Sequence, residues 1–166
     1  MGTIDSTDRS ILRILQADGR ITNTALAEEL GLTTTPTLQR VRKLEEAGVI
    51  KGYVALVDRA AVDCGTMVWV QVTLKEHDYA SHMAFLEGIV ALPEVIEVHH
   101  VAGAEADFIL KVVVKGMAEY ESWMLHKLIQ VPGFGRLHST FVISTSKSET
   151  ALPIRPEPDD DAPEPK

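Results

Sequence analysis

The first fifty residues contain three segments in which apolar side chains recur with the period of an α-helix, and each segment ends at a glycine. Gly19, Gly31 and Gly48 supply the stops, because glycine readily adopts the left-handed conformation that ends a helix. Pro36 does not interrupt the third segment, since it falls in the first turn, where no intrahelical N–H group is needed. The pattern predicts helices from Asp5 to about Asp18, from Thr22 or Asn23 to Leu30, and from Thr33 to about Ala47.

The second and third predicted helices are joined by a turn of about three residues, which makes them a helix-turn-helix. On the third helix, Leu38, Val41 and Leu44 fall within about a third of the circumference and form the predicted buried face. A strand predicted over Val49–Val57 would form a wing beside the helices. The side of the third helix opposite the buried face carries Thr35, Pro36, Gln39, Arg42 and Lys43, with Arg40 on a flank.

The exposed side of the third helix has the chemistry that reads a DNA major groove. Glutamine can pair with adenine, arginine with guanine, and a threonine methyl group can touch a thymine methyl, while further cations bind phosphates. A solvated helix face is the alternative interpretation of such mixed charge, and the helix-turn-helix context favours DNA. The predicted DNA-binding residues are Thr33, Thr34, Thr35, Pro36, Gln39, Arg40, Arg42, Lys43 and Lys51.

From Thr66 onward the pattern changes to strands and helices in alternation. Segments rich in Val and aromatic residues predict strands, and apolar stripes ended by Pro93 and Pro132 predict two helices. The resulting βαββαβ order is the ferredoxin-like arrangement. The fold class is therefore α+β, with an N-terminal winged helix-turn-helix and a C-terminal ferredoxin-like domain. The predicted elements are a strand over Met67–Leu74, a helix over residues 79–92, strands over Val95–Val101 and Phe108–Val114, a helix over Met117–Gln130 and a strand over Leu137–Ser144.

An internal repeat supports the ferredoxin-like order. Leu92–Val95 returns 39 residues later as Val131–Phe134, and each copy joins a helix end to the entry into a strand. Two helices cover only one face of a four-stranded sheet. The segment Phe108–Val114 carries apolar side chains on both faces of its strand, with Lys111 the exception. We therefore expect the uncovered face to pack on that of a second copy in a homodimer.

The formal net charge of −8 over 166 residues argues against a protein that coats DNA through unspecific attraction. The charge is uneven: residues 1–60 carry eight basic and eight acidic side chains, residues 61–150 carry six and eleven, and residues 151–166 carry two and five. A neutral first part with a basic cluster on one helix fits a selective DNA-binding surface. Five prolines and the Asp159–Asp161 run predict disorder over residues 153–166.

Other candidate chemistry is sparse. The single cysteine, Cys64, excludes an intramolecular disulfide, and no apolar run reaches the roughly 20 residues of a membrane span, so we expect a cytoplasmic protein. His99 and His100 are consecutive on a predicted strand, so they point to opposite faces and cannot chelate one metal. Gly133-Phe134-Gly135 is interpreted as a turn. We expect no catalytic residue, no metal site, no cofactor and no membrane partner.

Short motifs are spaced along residues 4–155. They are Asp5-x-x-Asp8-x-x-Ile11-Leu12, Asp18-Gly19-Arg20-Ile21, Leu26-Ala27, Gly31-Leu32-Thr33-Thr34-Thr35-Pro36, Arg40-Val41-Arg42-Lys43-Leu44-Glu45, Gly48-Val49-Ile50, Pro93-Glu94-Val95, Asp107-Phe108-Ile109-Leu110-Lys111-Val112 and Thr150-Ala151-Leu152-Pro153. Each fragment is weak alone, but in this order and spacing the chain resembles the Lrp/AsnC (feast/famine) family of transcription regulators.

The resemblance implies a sequence-specific DNA-binding regulator of amino-acid metabolism whose C-terminal domain forms dimers, which assemble further into tetramers or octamers. It also implies a small effector, usually an amino acid, bound between dimers near the loop Ala102–Asp107. In that site Glu105 and Asp107 would bind the ammonium group and loop N–H groups the carboxylate; a solvated acidic loop is the alternative interpretation of these residues. The candidate effector-binding residues are Gly103, Ala104, Glu105, Asp107, Ser139 and Thr140.

The sequence departs from the family pattern in this loop and in the recognition helix. Gly103 and Asp107 are four residues apart where three is usual, and Ala104 stands where an acidic residue often follows the glycine. Gln39 replaces a frequent arginine, which predicts a shifted base preference. The expected domains are residues 1–52 (helix-turn-helix), 53–65 (linking strand or hinge), 66–152 (ferredoxin-like, for dimerisation and effector binding) and 153–166 (tail).

Two other functions remain open from the sequence. Some sirohaem decarboxylases resemble this two-domain architecture and work with histidines of the ferredoxin-like part, and His99 and His100 motivate that alternative. The polar, cationic face of the third helix and the lack of a cofactor motif argue against it. A metabolite-binding module that makes no contact with DNA is the second alternative.

Overall fold

A computed structural model describes residues 4–103 and 105–155 of the chain. By their contacts these residues form two compact units, a helical unit of residues 4–55 with 147–155 and a ferredoxin-like unit of Leu56–Ser146. The helical unit contains α1 (Ser6–Ala17), α2 (Asn23–Glu29) and α3 (Thr34–Glu46). The ferredoxin-like unit contains β1 (Thr66–Leu74), α4 (Tyr79–Val90), β2 (Val95–His100), β3 (Phe108–Val114), α5 (Met117–His126) and β4 (Phe134–Phe141), with 3-10 turns at Ala60–Val62 and Leu128–Gln130.

Polar caps and one small core build the helical unit. The Asp5 side chain caps α1 by accepting from the Asp8 amide at 2.8 Å, and the Thr22 hydroxyl accepts from the Ala25 amide at the start of α2. The three predicted helices are confirmed. Gly31 and Gly48 have the left-handed conformation expected of a helix stop, with φ of 65° and 69°, whereas α1 ends at an extended Asp18 and Gly19 is not left-handed. Their buried side chains, which form one cluster, are Ile11, Leu26, Val41 and Leu44.

The buried face of α3 differs from the predicted one at a single turn. Thr37 is fully buried, whereas Leu38 is only half-buried. The Thr37 hydroxyl donates to the Thr33 carbonyl at 3.0 Å, which satisfies its polar group inside the core. A threonine can therefore occupy a position that hydrophobicity alone assigns to the surface.

The strand predicted over Val49–Val57 is wrong for the described unit, which has no regular secondary structure there. The amides of Val49 and Ile50 both turn back to the Leu44 carbonyl, at 2.9 and 3.1 Å, so these residues complete the end of α3. Their side chains pack against the helical core. A segment becomes a strand only where a second strand hydrogen-bonds to it. The sequence of Val49–Val57 could not show that no described residue pairs with this segment.

The ferredoxin-like unit has a four-stranded antiparallel sheet in the order β2-β3-β1-β4, which confirms the predicted βαββαβ arrangement. Both long helices cover one face. Even-numbered residues of the central strands point into the core beneath the helices, where they are buried with side chains such as Phe85 and Trp123. The opposite face has no covering helix, as the count of elements predicts.

The internal repeat is a repeated turn. In the first copy the amides of Leu92 and Val95 donate to the carbonyls three residues earlier, at 3.2 and 3.0 Å. In the second copy the amides of Val131 and Phe134 do the same, at 3.0 and 3.2 Å. The Pro-containing motif therefore ends a helix and starts a strand in the same way twice.

The last strand begins earlier than predicted, at Phe134 instead of Leu137, and ends at Phe141 instead of Ser144. Gly133 alone occupies a turn conformation, with φ of 81°, while Gly135 lies within β4. The helix before it ends at His126, and its predicted last turn is the short 3-10 turn. The turn predicted at Gly133-Phe134-Gly135 is therefore present only at Gly133. Gly135 lies in β4 opposite the irregularity at Thr73 and Leu74 of β1, and the sequence of one strand does not reveal an irregularity in its neighbour.

The segment after the ferredoxin-like unit returns to α1. The Gln16 side-chain amide donates to the Leu152 carbonyl at 3.1 Å and its oxygen accepts from the Leu152 amide at 2.6 Å. Arg9 donates to the Arg155 carbonyl. Contacts thus group residues 147–155 with the helical unit, whereas the sequence analysis assigned residues up to 152 to the ferredoxin-like domain. Residues 156–166 of the predicted disordered tail lie outside the described residues.

Within the described part of the chain, no helix combines the length and the apolar character needed to cross a membrane.

Candidate nucleic-acid interface and effector site

The exposed face of α3 carries most of the predicted DNA-binding side chains. The helix is held from behind by the buried Val41 and Leu44, so its other side is presented on a rigid support. Lys51 is exposed as well, five residues beyond the end of the helix. The exposed predicted residues of the helix and its N-cap are Thr33, Thr34, Thr35, Pro36, Gln39, Arg42 and Lys43.

Arg40 differs from this set, because two carboxylates of the same unit hold its guanidinium. Its Nη1 lies 2.6 Å from an oxygen of Asp5 and 2.8 Å from an oxygen of Asp8. The Asp8 amide and then the Arg40 guanidinium lower the pKa of the Asp5 carboxyl, and the bonds to both carboxylates raise the pKa of Arg40. The structure therefore places Arg40 between α1 and α3 and not on the open face.

A groove runs beside this ion-paired cluster. Pro36, Gln39, Arg40 and Lys43 line it from α3, and Asp5 and Asp8 line it from the start of α1. The groove is thus bordered on one side by the side chains expected to meet DNA and on the other by two carboxylates. The sequence predicted the α3 side of the groove but missed the side formed by Asp5 and Asp8. Nothing in the local pattern links these aspartates to residues of α3 that lie about thirty positions away.

The loop before β3 uses its aspartate internally. Asp107 accepts from the Leu74 amide at 2.7 Å through one carboxylate oxygen, while the other lies 3.3 Å from the His77 ring. Its main chain also bonds to Val72 and Val101. Asp107 therefore shapes the loop instead of offering a free carboxylate. Gly103 and Glu105 are exposed, and Ala104 lies outside the described residues.

A polar cavity of about 400 Å³ opens on the uncovered face of the sheet, next to this loop. Arg136 donates to the Thr73 hydroxyl at 3.2 Å, and that hydroxyl donates to the Glu105 carbonyl at 2.9 Å. The cavity is thus lined by Arg136, whose guanidinium bonds to Thr73, and by Glu105, whose main-chain carbonyl accepts from the same threonine. Its lining residues are Gln71, Thr73, Glu105, Arg136, Leu137 and His138.

The sequence predicted only Glu105 of these lining residues. Arg136 and His138 are two residues apart on β4 and therefore share one face of the sheet. The sequence could have predicted this if the start of the strand had been placed at Phe134. Gln71 and Thr73 required the pairing of β1 with β4, where Gln71 lies opposite His138 and Thr73 opposite Arg136.

Ser139 and Thr140 do not line one cleft, because neighbouring residues of a strand face opposite sides. Ser139 faces the helices, where its hydroxyl hydrogen-bonds to the Tyr120 hydroxyl. Burial raises the pKa of Tyr120, and the bond to Ser139 partly offsets that effect. Thr140 is exposed and pairs with Trp69 of β1. The prediction that both residues share the effector cleft is wrong for Ser139.

The two consecutive histidines face opposite sides, as predicted. His99 lies 3.2 Å from Glu97. The His100 ring packs edge-on against His82 and in a tilted arrangement against Phe108, with ring centroids 4.4 and 5.3 Å apart. Among residues 4–103 and 105–155, no group of three or more His, Cys, Asp or Glu side chains is placed to hold a metal ion.

Comparison with known proteins identifies the family. A model of a winged helix-turn-helix DNA-binding domain matches residues 4–51, and one of the Lrp/AsnC ligand binding domain matches residues 67–152. The Bkd operon transcriptional regulator of Pseudomonas aeruginosa is 37% identical over 93% of this chain and 100% of its own length. The Leucine-responsive regulatory protein of Escherichia coli is 36% identical over 92% of each chain.

A solved structure supports the same relationship. The crystal structure of a transcriptional regulator from Neisseria meningitidis in complex with L-Met is 31% identical, has a TM-score of 0.86, and covers 91% of this chain and 97% of its own. The helix-turn-helix, the ferredoxin-like unit and the order in which they follow one another all agree with these matches. The chain therefore belongs to the Lrp/AsnC family and is a DNA-binding transcriptional regulator.

Proposed function

We propose that this regulator reads a specific DNA operator through the exposed face of α3, and that an amino acid bound to its ferredoxin-like unit changes operator occupancy at genes of amino-acid metabolism. The observation that carries the DNA half is the exposure of Gln39, Arg42 and Lys43 on a helix whose other side is buried. The amide of Gln39 is suited to an adenine edge, and the two cations are suited to phosphates.

Binding measurements on a labelled duplex, selected from a random pool for tight binding, test the DNA assignment. Arg42→Ala or Lys43→Ala should weaken binding to every sequence and reduce the slope of log K against log salt by about 0.9 for each phosphate that the variant no longer neutralises. Gln39→Ala should instead relax preference at one base position, with a loss of about 1–3 kcal/mol for the preferred base. Full affinity and an unchanged salt slope in an Arg42/Lys43 double alanine variant would overturn the assignment.

The polar cavity beside the loop supports the effector half of the proposal. A free amino acid carries a carboxylate and an ammonium group, and the cavity offers Arg136 for the first and Glu105 for the second. Its volume of about 400 Å³ is in the range of small-molecule sites. The solved relative from Neisseria meningitidis, described as a complex with L-Met, also favours an amino-acid ligand.

Calorimetric titration with the individual amino acids tests this site. Native protein should bind at least one amino acid, and Glu105→Gln and Arg136→Gln should each weaken that binding by about tenfold or more, because each leaves one charge of the ligand unpaired. Glu121→Gln, which neutralises an exposed carboxylate on α5, is the matched control and should leave affinity unchanged. Equal binding by all four proteins would place the ligand elsewhere.

We further propose that the protein acts in the cytoplasm as a homodimer, assembled into tetramers or octamers with the effector between dimers, and that it is not an enzyme. The uncovered sheet face supports the dimer: Trp69 and Ile109 lie half-buried on it. The polar cavity lies next to these residues on the same face, since Gln71 of its lining pairs with Ile109, so the dimer contact and the effector would share this surface. The regulatory names of the relatives support a non-enzymatic role.

A further inference from the structure

We propose that Arg40 is a positioning residue and not a DNA contact: it holds the start of α1 against α3 and offsets one of the two negative charges that border the DNA-reading face. The inference rests on the proposed role of α3 in DNA binding. It changes the role that the helical pattern assigned to Arg40, which lies on the flank of that face. Arg42 and Lys43 keep the role of cationic contacts.

The geometry of the cluster fixes Arg40 from one side. A single guanidinium nitrogen lies 2.6 Å from Asp5 and 2.8 Å from Asp8, distances typical of charge-assisted hydrogen bonds. The two carboxylates are themselves held by the start of α1, because each accepts a bond from the other residue's main-chain amide. The helix cap and the ion pairs therefore form one network that joins residues more than thirty positions apart.

The position of the carboxylates gives this network a consequence for DNA binding. Asp5 and Asp8 border the same groove as Gln39 and Lys43, so they lie beside the surface that phosphates would approach. Without a cation between them, two carboxylates at that place would repel the DNA backbone. Arg40 leaves the pair with one net negative charge instead of two.

The Nη1 of Arg40 is bound by two carboxylates, so a phosphate would meet a guanidinium whose charge is already offset. Leaving the cluster would break both bonds and expose the carboxylates to the DNA at the same moment. The side chain of Asp8 is only 16% exposed, so water would replace the departed guanidinium incompletely. Arg42 and Lys43 are exposed, and neither forms an ion pair with any residue that the structure describes.

The test compares Arg40→Gln, Arg40→Lys and the double variant Arg40→Gln/Asp8→Asn, which has the native net charge. The full-length proteins are titrated against the same selected duplex at several salt concentrations, after circular dichroism has established that each is folded. Arg40→Gln should weaken binding by about tenfold, because the carboxylates become unbalanced. The double variant should recover to within about threefold of native and keep the native salt slope.

A direct DNA contact by Arg40 gives the opposite result. The double variant would then bind as weakly as Arg40→Gln, and its salt slope would be lower than native by about 0.9, which would overturn the proposal. If Arg40→Gln does not fold, the double variant decides alone, because its salt slope is native under the proposal and lower by about 0.9 under direct contact. Arg40→Lys keeps the positive charge under either role, so it serves as the control for folding and should bind within about threefold of native.

Lys43→Gln is the matched control, since it removes one positive charge from the other side of the same groove. It should lower the salt slope by about 0.9, and adding Asp8→Asn should not restore that slope. An unchanged slope in Lys43→Gln would contradict the DNA-binding role of α3 itself. The Lys43→Gln slope tests the DNA-binding role of α3, and the recovery of the Arg40 double variant tests the positioning role of Arg40. The two measurements are independent, so failure of either role can be recognised.

Discussion

At the scale of single residues, Gly135 lies where β4 comes closest to the end of β1. A Cβ atom at this position would lie 2.7 Å from the Thr73 carbonyl oxygen and 2.8 Å from main-chain atoms of Leu74 and Lys75. The register between the two strands shifts at the same point. Because the obstructing atoms are backbone, no side-chain rotation can relieve the contact. Arg136, the next residue, donates to Thr73, so this close approach also shapes the polar cavity.

Replacing Gly135 by alanine should therefore destabilise the ferredoxin-like unit by about 1–3 kcal/mol, as overpacking against a fixed neighbour does. Urea unfolding followed by circular dichroism measures the change. Gly65→Ala is the control, because the nearest atom to its added Cβ is 3.9 Å away, and its stability should stay within about 0.5 kcal/mol of native. Equal stability of the two variants would contradict the close approach at Gly135.

At the scale of elements, α1, α2 and α4 begin at short polar side chains that satisfy free amides. Asp78 does this for α4: one carboxylate oxygen accepts from the Ser81 amide at 3.0 Å and the other from the Ser81 hydroxyl at 2.7 Å. Those two bonds lower the pKa of Asp78, with the hydroxyl contributing most. The folded state therefore binds a proton at Asp78 less readily than the unfolded chain does.

This difference predicts how the cap responds to pH. A lowered folded-state pKa stabilises the fold above the ordinary value of 3.8, and that contribution is lost as the pH falls through the folded-state value. Asp78→Ala should lower the unfolding temperature at neutral pH, and the gap to native should shrink as the solution is acidified below about pH 4. Thermal unfolding at several pH values measures the gap, and a gap that grows on acidification would contradict this account.

At the scale of the whole molecule, net charge and function are divided along the chain. The first sixty residues balance eight basic against eight acidic side chains, so the net charge of −8 resides in the rest of the sequence. The cations of α3 therefore act from a neutral first part of the chain, which keeps unspecific attraction to DNA low and leaves selection to base contacts. In the dimer that we propose, the spacing of two recognition helices would add to that selection.

The uncovered sheet face is where we expect the dimer to form, and Trp69 tests it. This side chain lies half-buried on β1, with the Lys111 ammonium 5.7 Å from its ring. Trp69→Glu would place a carboxylate inside the interface, so sedimentation should give about the 18.2 kDa of one chain where the native protein gives at least twice that mass. Tyr79→Glu, at an exposed position of α4 on the other side of the sheet, should sediment as native does.

The sequence determined those features that depend on near neighbours. Helix starts at Asp5 and Thr22, stops at two of the glycines, and the repeated turn at Pro93 and Pro132 are local, because caps and short turns connect residues only three or four positions apart. Alternation within each strand likewise separated His99 from His100. Local rules of this kind were sufficient for the order of the helices and of the four sheet strands and for the exposed face of α3, but they wrongly predicted a strand over Val49–Val57.

Only the tertiary structure decided which distant residues meet. Arg40 could be placed on a helix flank from its spacing, but its binding by Asp5 depends on how α1 packs on α3. The cavity that joins Glu105 to Arg136 depends on the register of β1 against β4, and a strand's alternation leaves that register open. The physical reason is the same in both cases: these contacts are fixed by the packing of whole elements, and periodicity along the chain carries no information about the partner.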